Sequence, residues 1–241
     1  MSKQALIGLI GGMSWESSAA YYRIINREVQ KRLGGVHSAR TLMLSVDFGE
    51  IEHLPHRGDW DELTEQMKDA AIRLERGGAD LVLICTNTMH RMADAVAKAI
   101  DIPLLHIVDP TAEKIRAAGF DTVGLLGTAF TMEQEFYKGR LKDKFGLNVL
   151  VPDTNDRRIV HDIIYRELVA GEIRPDSRAA YRQIISRLVT QGAQAIILGC
   201  TEIMLLVLPE DSVVPLFDTT TIHAIAAVDL ALASIGNQAL V

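Results

Sequence analysis

Two cysteines in 241 residues are too few for a disulfide framework or an all-cysteine zinc site. No apolar run approaches the roughly 18–20 residues of a membrane span, and the early ALIGLI stretch is too short and glycine-punctuated for an export signal. Basic residues are outnumbered, 25 Lys and Arg against 31 Asp and Glu. Such a surface does not neutralise phosphates, so nucleic acid is not an expected partner. The seven histidines show no metal-ligand spacing, and no metal is expected. GLIGGM does not satisfy GxGxxG, and no Walker loop occurs. A pyridoxal phosphate lysine is not excluded by motif, yet no Lys lies in either strand-end loop described below. The expectation is a cofactor-free protein in a reducing, cytoplasmic setting, with no membrane contact. The net charge of −6 serves solubility, and a few positive dipoles in a cleft still admit an anionic ligand.

What the chain does have is a core and a repeat. It is 48% hydrophobic and 23% charged, and Ile/Val/Leu-rich strands alternate with longer amphipathic stretches, which reads as α/β with parallel sheets. Strands are expected near 5–10, 40–47, 80–85, 104–107, 122–127, 147–151, 194–199 and 214–217. The longer helices are expected near 16–33, 59–76, 88–99, 110–117, 131–144, 155–170, 176–191 and 219–235. Self-comparison adds more. ALIGLIGGM (5–13) matches DTVGLLGTA (121–129), aligning Gly8 with Gly124 and Gly11 with Gly127, and Tyr21 then meets Tyr137. RLERGGADLVLICTNTM (73–89) aligns without gaps to RLVTQGAQAIILGCTEI (187–203), and IPLLHIVD (102–109) resembles VPLFD (214–218). Three matches in one order point to duplication. The expected halves are 1–103 with 213–241, and 104–212.

The aligned register separates the two thiols. Cys200 falls opposite Thr86, and Cys85 falls opposite Gly199. A shift of one residue along a strand turns a side chain to the other face, so Thr86 and Cys200 form the equivalent pair and Cys85 reads as a core thiol. In parallel α/β sheets ligands sit beyond the carboxyl ends of strands, where helix N-termini offer N–H groups. Two copies related by a pseudo-two-fold would aim both loops across a cleft, one proton-transfer group on each side of a trapped molecule. Stereoinversion at carbon needs that geometry. A thiol near a helix N-terminus has a lowered pKa, and Asn87, Thr88 and Thr201 can hold a carboxylate whose charge grows in the carbanion. The GGM turn and Gly127-Thr128 let backbone approach a ligand.

GLIGGMSWES (8–17), CTNTMH (85–90), GLLGT (124–128), GCTE (199–202) and PLFD (215–218) together resemble the cofactor-independent aspartate/glutamate racemase superfamily along nearly the whole chain. LSVDFGEIE (44–52) and TMEQEFYKGRL (131–141) are similar to its broad-specificity or L-aspartate/glutamate-specific branch. The resemblance implies two Rossmann-like domains with the active site between them, and a small amino acid as substrate. The family's first motif is Cys-Asn-Thr-x-His. Here Thr86-Asn87-Thr88-Met89-His90 matches it, so a threonine holds a catalytic cysteine's place, while Cys200 matches the second cysteine. The resemblance also implies a substrate-lining role for Met13. Its distal-carboxylate Arg and Lys are not visible; Arg57 and Arg174 are the nearest candidates.

The resulting expectation is an amino-acid racemase with Thr86 and Cys200 as opposing acid/base groups. Asn87, Thr88 and Thr201 would hold the α-carboxylate, while Met13 and Thr128 line the pocket. A hydroxyl is a far weaker acid than a thiol, which predicts slower turnover and unequal kcat and KM for the two enantiomers. His90 is open to packing or catalysis, His106 and His223 read as structural, and Asp47 and Asp218 can orient or cap site loops. The alternatives are a maleate isomerase-like or arylmalonate decarboxylase-like reaction, or a non-enzymatic ligand-binding module. The sequence leaves a homodimer open.

Overall fold

The computed structural model of the chain describes residues 4–236 and divides into two compact units. Residues up to His106 together with those from His223 onward form the first, and Ile107–Ile222 the second. The first unit runs β1 (Ile7–Gly11), α1 (Trp15–Leu33), β2 (Thr41–Ser45), α2 (Phe48–Ile51), α3 (His53–Arg57), α4 (Trp60–Arg76) and β3 (Leu81–Ile84). A 3₁₀ turn at Thr88–Met92, α5 (Ala93–Ala97) and β4 (Leu104–Leu105) follow. The second unit runs α6 (Val108–Ala117), β5 (Thr122–Gly127), α7 (Ala129–Glu133), α8 (Glu135–Phe145), β6 (Asn148–Leu150) and α9 (Thr154–Arg166). It continues through α10 (Pro175–Thr190), β7 (Ala195–Gly199), α11 (Ile203–Leu206) and β8 (Leu216–Asp218). The last helix, α12 (Thr219–Gly236), starts in the second unit and continues into the first.

Each unit is a four-stranded parallel sheet flanked by helices, in the order β2-β1-β3-β4 and β6-β5-β7-β8. The α/β class read from the sequence is the one observed. The central strands IGLIG and AIILG are buried along their whole length, as parallel strands covered on both faces must be. Each large aliphatic side chain so buried contributes roughly 1.5–3 kcal/mol.

The pairing register carries the repeat into three dimensions. Gly8, Leu9 and Ile10 lie opposite Val82, Leu83 and Ile84. Their sequence-aligned counterparts Gly124, Leu125 and Leu126 lie opposite Ile196, Ile197 and Leu198. One strand pair has been written twice, residue for residue.

The unit boundaries differ from those expected. They fall at 106/107 and 222/223, not at 103/104 and 212/213, and residues 1–3 and 237–241 of the expected first half lie outside the described residues. The reason is strand pairing. β4 is hydrogen-bonded to β3 through Val82↔Leu104 and Leu83↔Leu105, and β8 to β7 through Ile196↔Leu216 and Ile197↔Phe217. Each sheet keeps its own fourth strand, and only the following helix belongs to the other unit. Thus α6 packs on α8 and β8, and Ala224, Ala227, Val228 and Ala231 of α12 join Ile7, Leu9, Tyr21 and Leu83 in one apolar cluster.

Local chemistry sets the helix ends. Ser14 caps α1 by accepting from the Ser17 N–H, and Gly34 ends it at φ +76°, a backbone angle that favours glycine. Asp47 caps α2 through the Gly49 N–H; α2 and α3 are too short to show a helical period in the sequence. The helix expected over 131–144 is broken at Gln134, whose extended backbone separates α7 from α8. Among the described residues no helix is long and apolar enough to cross a membrane.

Candidate active site

In a 2-1-3-4 sheet the chain leaves the first strand in opposite senses toward its two neighbours, and ligands gather beyond the strand ends at that switch point. In the first unit this place is flanked by the turn after β1 and the loop after β3. Gly12 sits at φ +93°, and a Cβ there would collide with the Val46 backbone, so only glycine fits. Its N–H donates to Ser18 Oγ at 2.7 Å, and Ser18 Oγ donates in turn to the Ser14 carbonyl at 2.9 Å. The turn is therefore pinned by α1. Met13, expected beside a substrate, is buried in the apolar cluster that includes Ile10, Ile51, Leu54 and Met89.

Beyond β3, Cys85 extends the strand. Its N–H donates to the Ile10 carbonyl at 2.9 Å, its side chain is 0% exposed among core residues, and burial pushes its thiol pKa far up. Thr86 is the first residue with any opening, 9% exposed, and Asn87 and Thr88 follow it, both buried. His90 places Nδ1 2.7 Å from the Thr86 carbonyl. A carbonyl only accepts, so Nδ1 carries a proton and donates it. The His90 ring stacks obliquely on His106 with centroids 4.6 Å apart. His223 behaves as a structural residue: Nε2 donates to the Leu105 carbonyl at 2.9 Å, leaving Nδ1 to accept the Tyr21 hydroxyl at 2.8 Å.

In the second unit the same place is occupied by the loops after β5 and β7. Thr128 caps α7 by accepting from the Thr131 N–H at 3.3 Å, and the Ala129 N–H donates to His161 Nδ1 at 3.1 Å. Gly127 and Gly199 face each other across the strand pair. A Cβ on Gly127 would stand 2.7 Å from the Gly199 carbonyl oxygen, so both positions stay bare. Cys200 follows, 8% exposed. Its Sγ–H donates to Glu202 Oε2 at 3.0 Å, and the Thr201 hydroxyl donates to the same oxygen at 3.0 Å. Thr220 Oγ1 donates to the Thr201 carbonyl at 3.4 Å and Thr219 Oγ1 to the Leu198 carbonyl at 2.8 Å, tying the loop to α12. Asp218 caps that helix, accepting from the Thr220 and Thr221 N–H groups at 3.0 and 3.3 Å; burial raises its pKa.

Two expectations change here. The sequence suggests helix N-termini that lower thiol pKa values, yet the elements after the loops are a 3₁₀ turn at Thr88–Met92 and the four-residue α11. Neither aligns enough peptide dipoles to act as a macrodipole. Burial instead pushes the Cys200 thiol well up, and the Glu202 carboxylate adds to the effect. The second change concerns distal charges. Arg57 is exposed and pairs with Asp59 at 3.0 Å, while Arg174 is exposed and pairs with Glu172. Both cations are already engaged locally.

Glu202 is the residue that the motif reading passed over. It is 1% exposed, and the signal that could have found it is its spacing. A carboxylate two residues after a strand-end thiol, inside an otherwise apolar run, has few partners within reach other than that thiol.

Comparison with known proteins agrees with this architecture. Residues 10–227 match the family model described as Asp/Glu/hydantoin racemase. The crystal structure of an Asp/Glu racemase candidate from Yersinia pestis is 54% identical, with 95% of this chain and 99% of that one covered and a TM-score of 0.88. An aspartate racemase homologue from Pyrococcus horikoshii is 32% identical over 96% of this chain and 99% of that one, with a TM-score of 0.79. The broad specificity amino-acid racemase RacX of Bacillus subtilis is 25% identical over 95% of this chain and 99% of its own length. The chain belongs to the Asp/Glu/hydantoin racemase family, and its enzyme class is that of an amino-acid racemase, an isomerase.

Proposed function

We propose that the chain inverts the Cα of a small amino acid without a cofactor, Thr86 and Cys200 acting on opposite faces of that carbon. The observation that carries this reading is the register. Thr86 and Cys200 are each the second residue beyond the equivalent pairs Ile84↔Ile10 and Leu198↔Leu126 in two identically ordered, sequence-aligned sheets, where a duplicated fold presents equivalent groups. Cys85, continuing the buried run, is left as packing. Asn87, Thr88 and Thr201 supply donors for the α-carboxylate, which must take up the carbanion's charge, the Thr201 hydroxyl turning to it from Glu202 Oε2. Met13 and Thr128 complete the turns on either side.

One residue removes a proton from Cα and the other returns a proton to the opposite face. A thiol does the first task well and a neutral hydroxyl poorly. One enantiomer is therefore processed with a lower kcat, although an equilibrium constant of unity keeps the two kcat/KM values equal. The names of the relatives, broad-specificity and aspartate racemases, favour aspartate, glutamate and small neutral amino acids as the first compounds to offer. The proposal includes a reducing cytoplasmic setting, in keeping with two free, buried thiols.

The test is incubation of the purified chain with a panel of L- and D-amino acids in heavy water, read by proton NMR and chiral chromatography. The expected result is loss of the Cα–H signal coupled to appearance of the antipode. Tight binding with no exchange would replace this reading with that of a binding module. Release of carbon dioxide from a malonate, or isomerisation of an unsaturated diacid, without amino-acid exchange would replace it with one-sided thiol chemistry.

A further inference from the structure

We infer that Glu202 is the positioning residue that receives the Cys200 proton, so that Cys200 works as a base only through this carboxylate. The inference rests on the racemase reading and deepens it.

The geometry is local to one loop. Cys200 Sγ and Thr201 Oγ1 both point their hydrogens at a single oxygen, Glu202 Oε2, each at 3.0 Å. Both contacts make this oxygen an acceptor, and burial, with Glu202 alongside, keeps Cys200 a thiol. Neither assigned acid/base group then rests as a base: Thr86 is a neutral hydroxyl and Cys200 a protonated thiol. Before Cys200 can take a proton from Cα it must lose its own. Its side chain is 8% exposed, which restricts transfer to bulk water, while the Glu202 oxygen is already in hydrogen-bond contact. Tyr181 of α10 also lies close enough to couple to Cys200, and Glu167 couples in turn to Tyr181. Tyr181 donates its hydroxyl to the Val160 carbonyl at 3.4 Å, and Glu167 accepts from Ser177 Oγ at 2.5 Å. Neither is bonded to the sulfur.

The step balances as follows. The Sγ–H bond breaks and its proton forms an O–H bond on Glu202 Oε2, leaving a thiolate beside a neutral carboxylic acid. The thiolate takes the Cα proton and is again a thiol. The Thr86 hydroxyl supplies a proton to the opposite face of the carbanion, and water restores that hydroxyl. Glu202 then releases its proton to water. Transfer to Glu202 also removes the negative charge that would otherwise stand against the thiolate. The same charge pushes the thiol pKa well up in the resting protein, after the larger effect of burial.

The experiment uses the full chain on a Cys85→Ser background, with Glu202→Gln as the principal variant. The amide oxygen still accepts from Sγ–H but takes no proton. Two quantities are read: the pH midpoint of Cys200 alkylation by iodoacetamide, followed by mass spectrometry, and deuterium incorporation at Cα at pH 8. We expect the alkylation midpoint to fall by about one pH unit or more, since a neighbouring charge is lost. Exchange should fall by about 100-fold, within the range for a lost proton acceptor. A residue that merely restrains the thiol gives the opposite second result, because more thiolate would mean faster exchange. Exchange that is equal or faster in Glu202→Gln, or an unmoved midpoint, overturns the inference. Glu202→Asp should restore exchange to within about tenfold of the parent, as a carboxylate is retained. If Glu202→Gln does not fold, Glu202→Ala takes its place with the same two readouts and the same overturning results. Absence of exchange in the parent is a failure of the racemase reading, whereas exchange surviving Glu202→Gln is a failure of this one.

Discussion

The loops after β3 and β7 follow sequence-aligned strands and differ in what holds the aligned residue, Thr86 in one and Cys200 in the other. After β3 the chain runs Cys85-Thr86-Asn87-Thr88, and a histidine four residues on grips the Thr86 carbonyl at 2.7 Å. After β7 it runs Gly199-Cys200-Thr201-Glu202, and a carboxylate two residues on grips the Cys200 side chain itself at 3.0 Å. The first arrangement fixes where a loop lies. The second fixes where a proton lies. Two sequence-aligned strand ends thus carry unlike supporting groups, a histidine on a carbonyl in one and a carboxylate on a thiol in the other.

A parallel divergence lies deeper in each unit. Tyr21 and Tyr137 are sequence counterparts, and both are fully buried. Tyr21 donates to His223 Nδ1 of α12. The Tyr137 hydroxyl has no hydrogen-bond partner among the described residues. Aligning Pro103 with Pro215 puts Thr111 of α6 opposite His223, and the Thr111 hydroxyl donates instead to its own helix at Ile107. One unit kept a polar link to its exchanged helix. The other carries the hydroxyl as a burden.

The comparison can be broken at several depths. The largest effect is expected at Cys200→Ser, which should lower Cα proton exchange by about 10²–10⁴-fold, the usual yield of a positioned acid/base group. Heavy-water NMR of the variant against the parent reads it. Next comes Tyr21→Phe, which removes the buried hydrogen bond to His223 Nδ1 and should cost about 0.5–1.5 kcal/mol in urea unfolding. Smallest is Tyr137→Phe. Removing a hydroxyl that makes no bond should leave stability within about 1 kcal/mol of the parent or raise it. Equal losses for the two tyrosines would erase the proposed difference between the units.

Much of this was legible in the sequence because it is written in periods. Short runs such as LVLI and AIILG, flanked by Gly and rich in branched residues, read as buried strands, and the gapless alignment of 73–89 with 187–203 gives the register that the sheets display. Helix exchange was only half legible. Pro215 marks the approach to the last strand, but which sheet that strand joins depends on hydrogen bonds between distant residues. The 3₁₀ turn over Thr88–Met92 was hidden because apolar spacing does not distinguish a tight turn from a helix. Glu202 was hidden for a different reason. Its spacing from Cys200 is visible in the sequence, but only tertiary burial shows that the carboxylate turns onto the thiol.

The most direct measurement compares Thr86→Cys with Cys85→Ser, each assayed for Cα deuterium incorporation from the L and D enantiomers separately. If Thr86 is the true counterpart of Cys200, Thr86→Cys should speed exchange from the slower enantiomer by about tenfold or more, and Cys85→Ser should leave both directions close to the parent. The account is contradicted if Thr86→Cys changes neither direction while Cys85→Ser abolishes exchange in a folded protein.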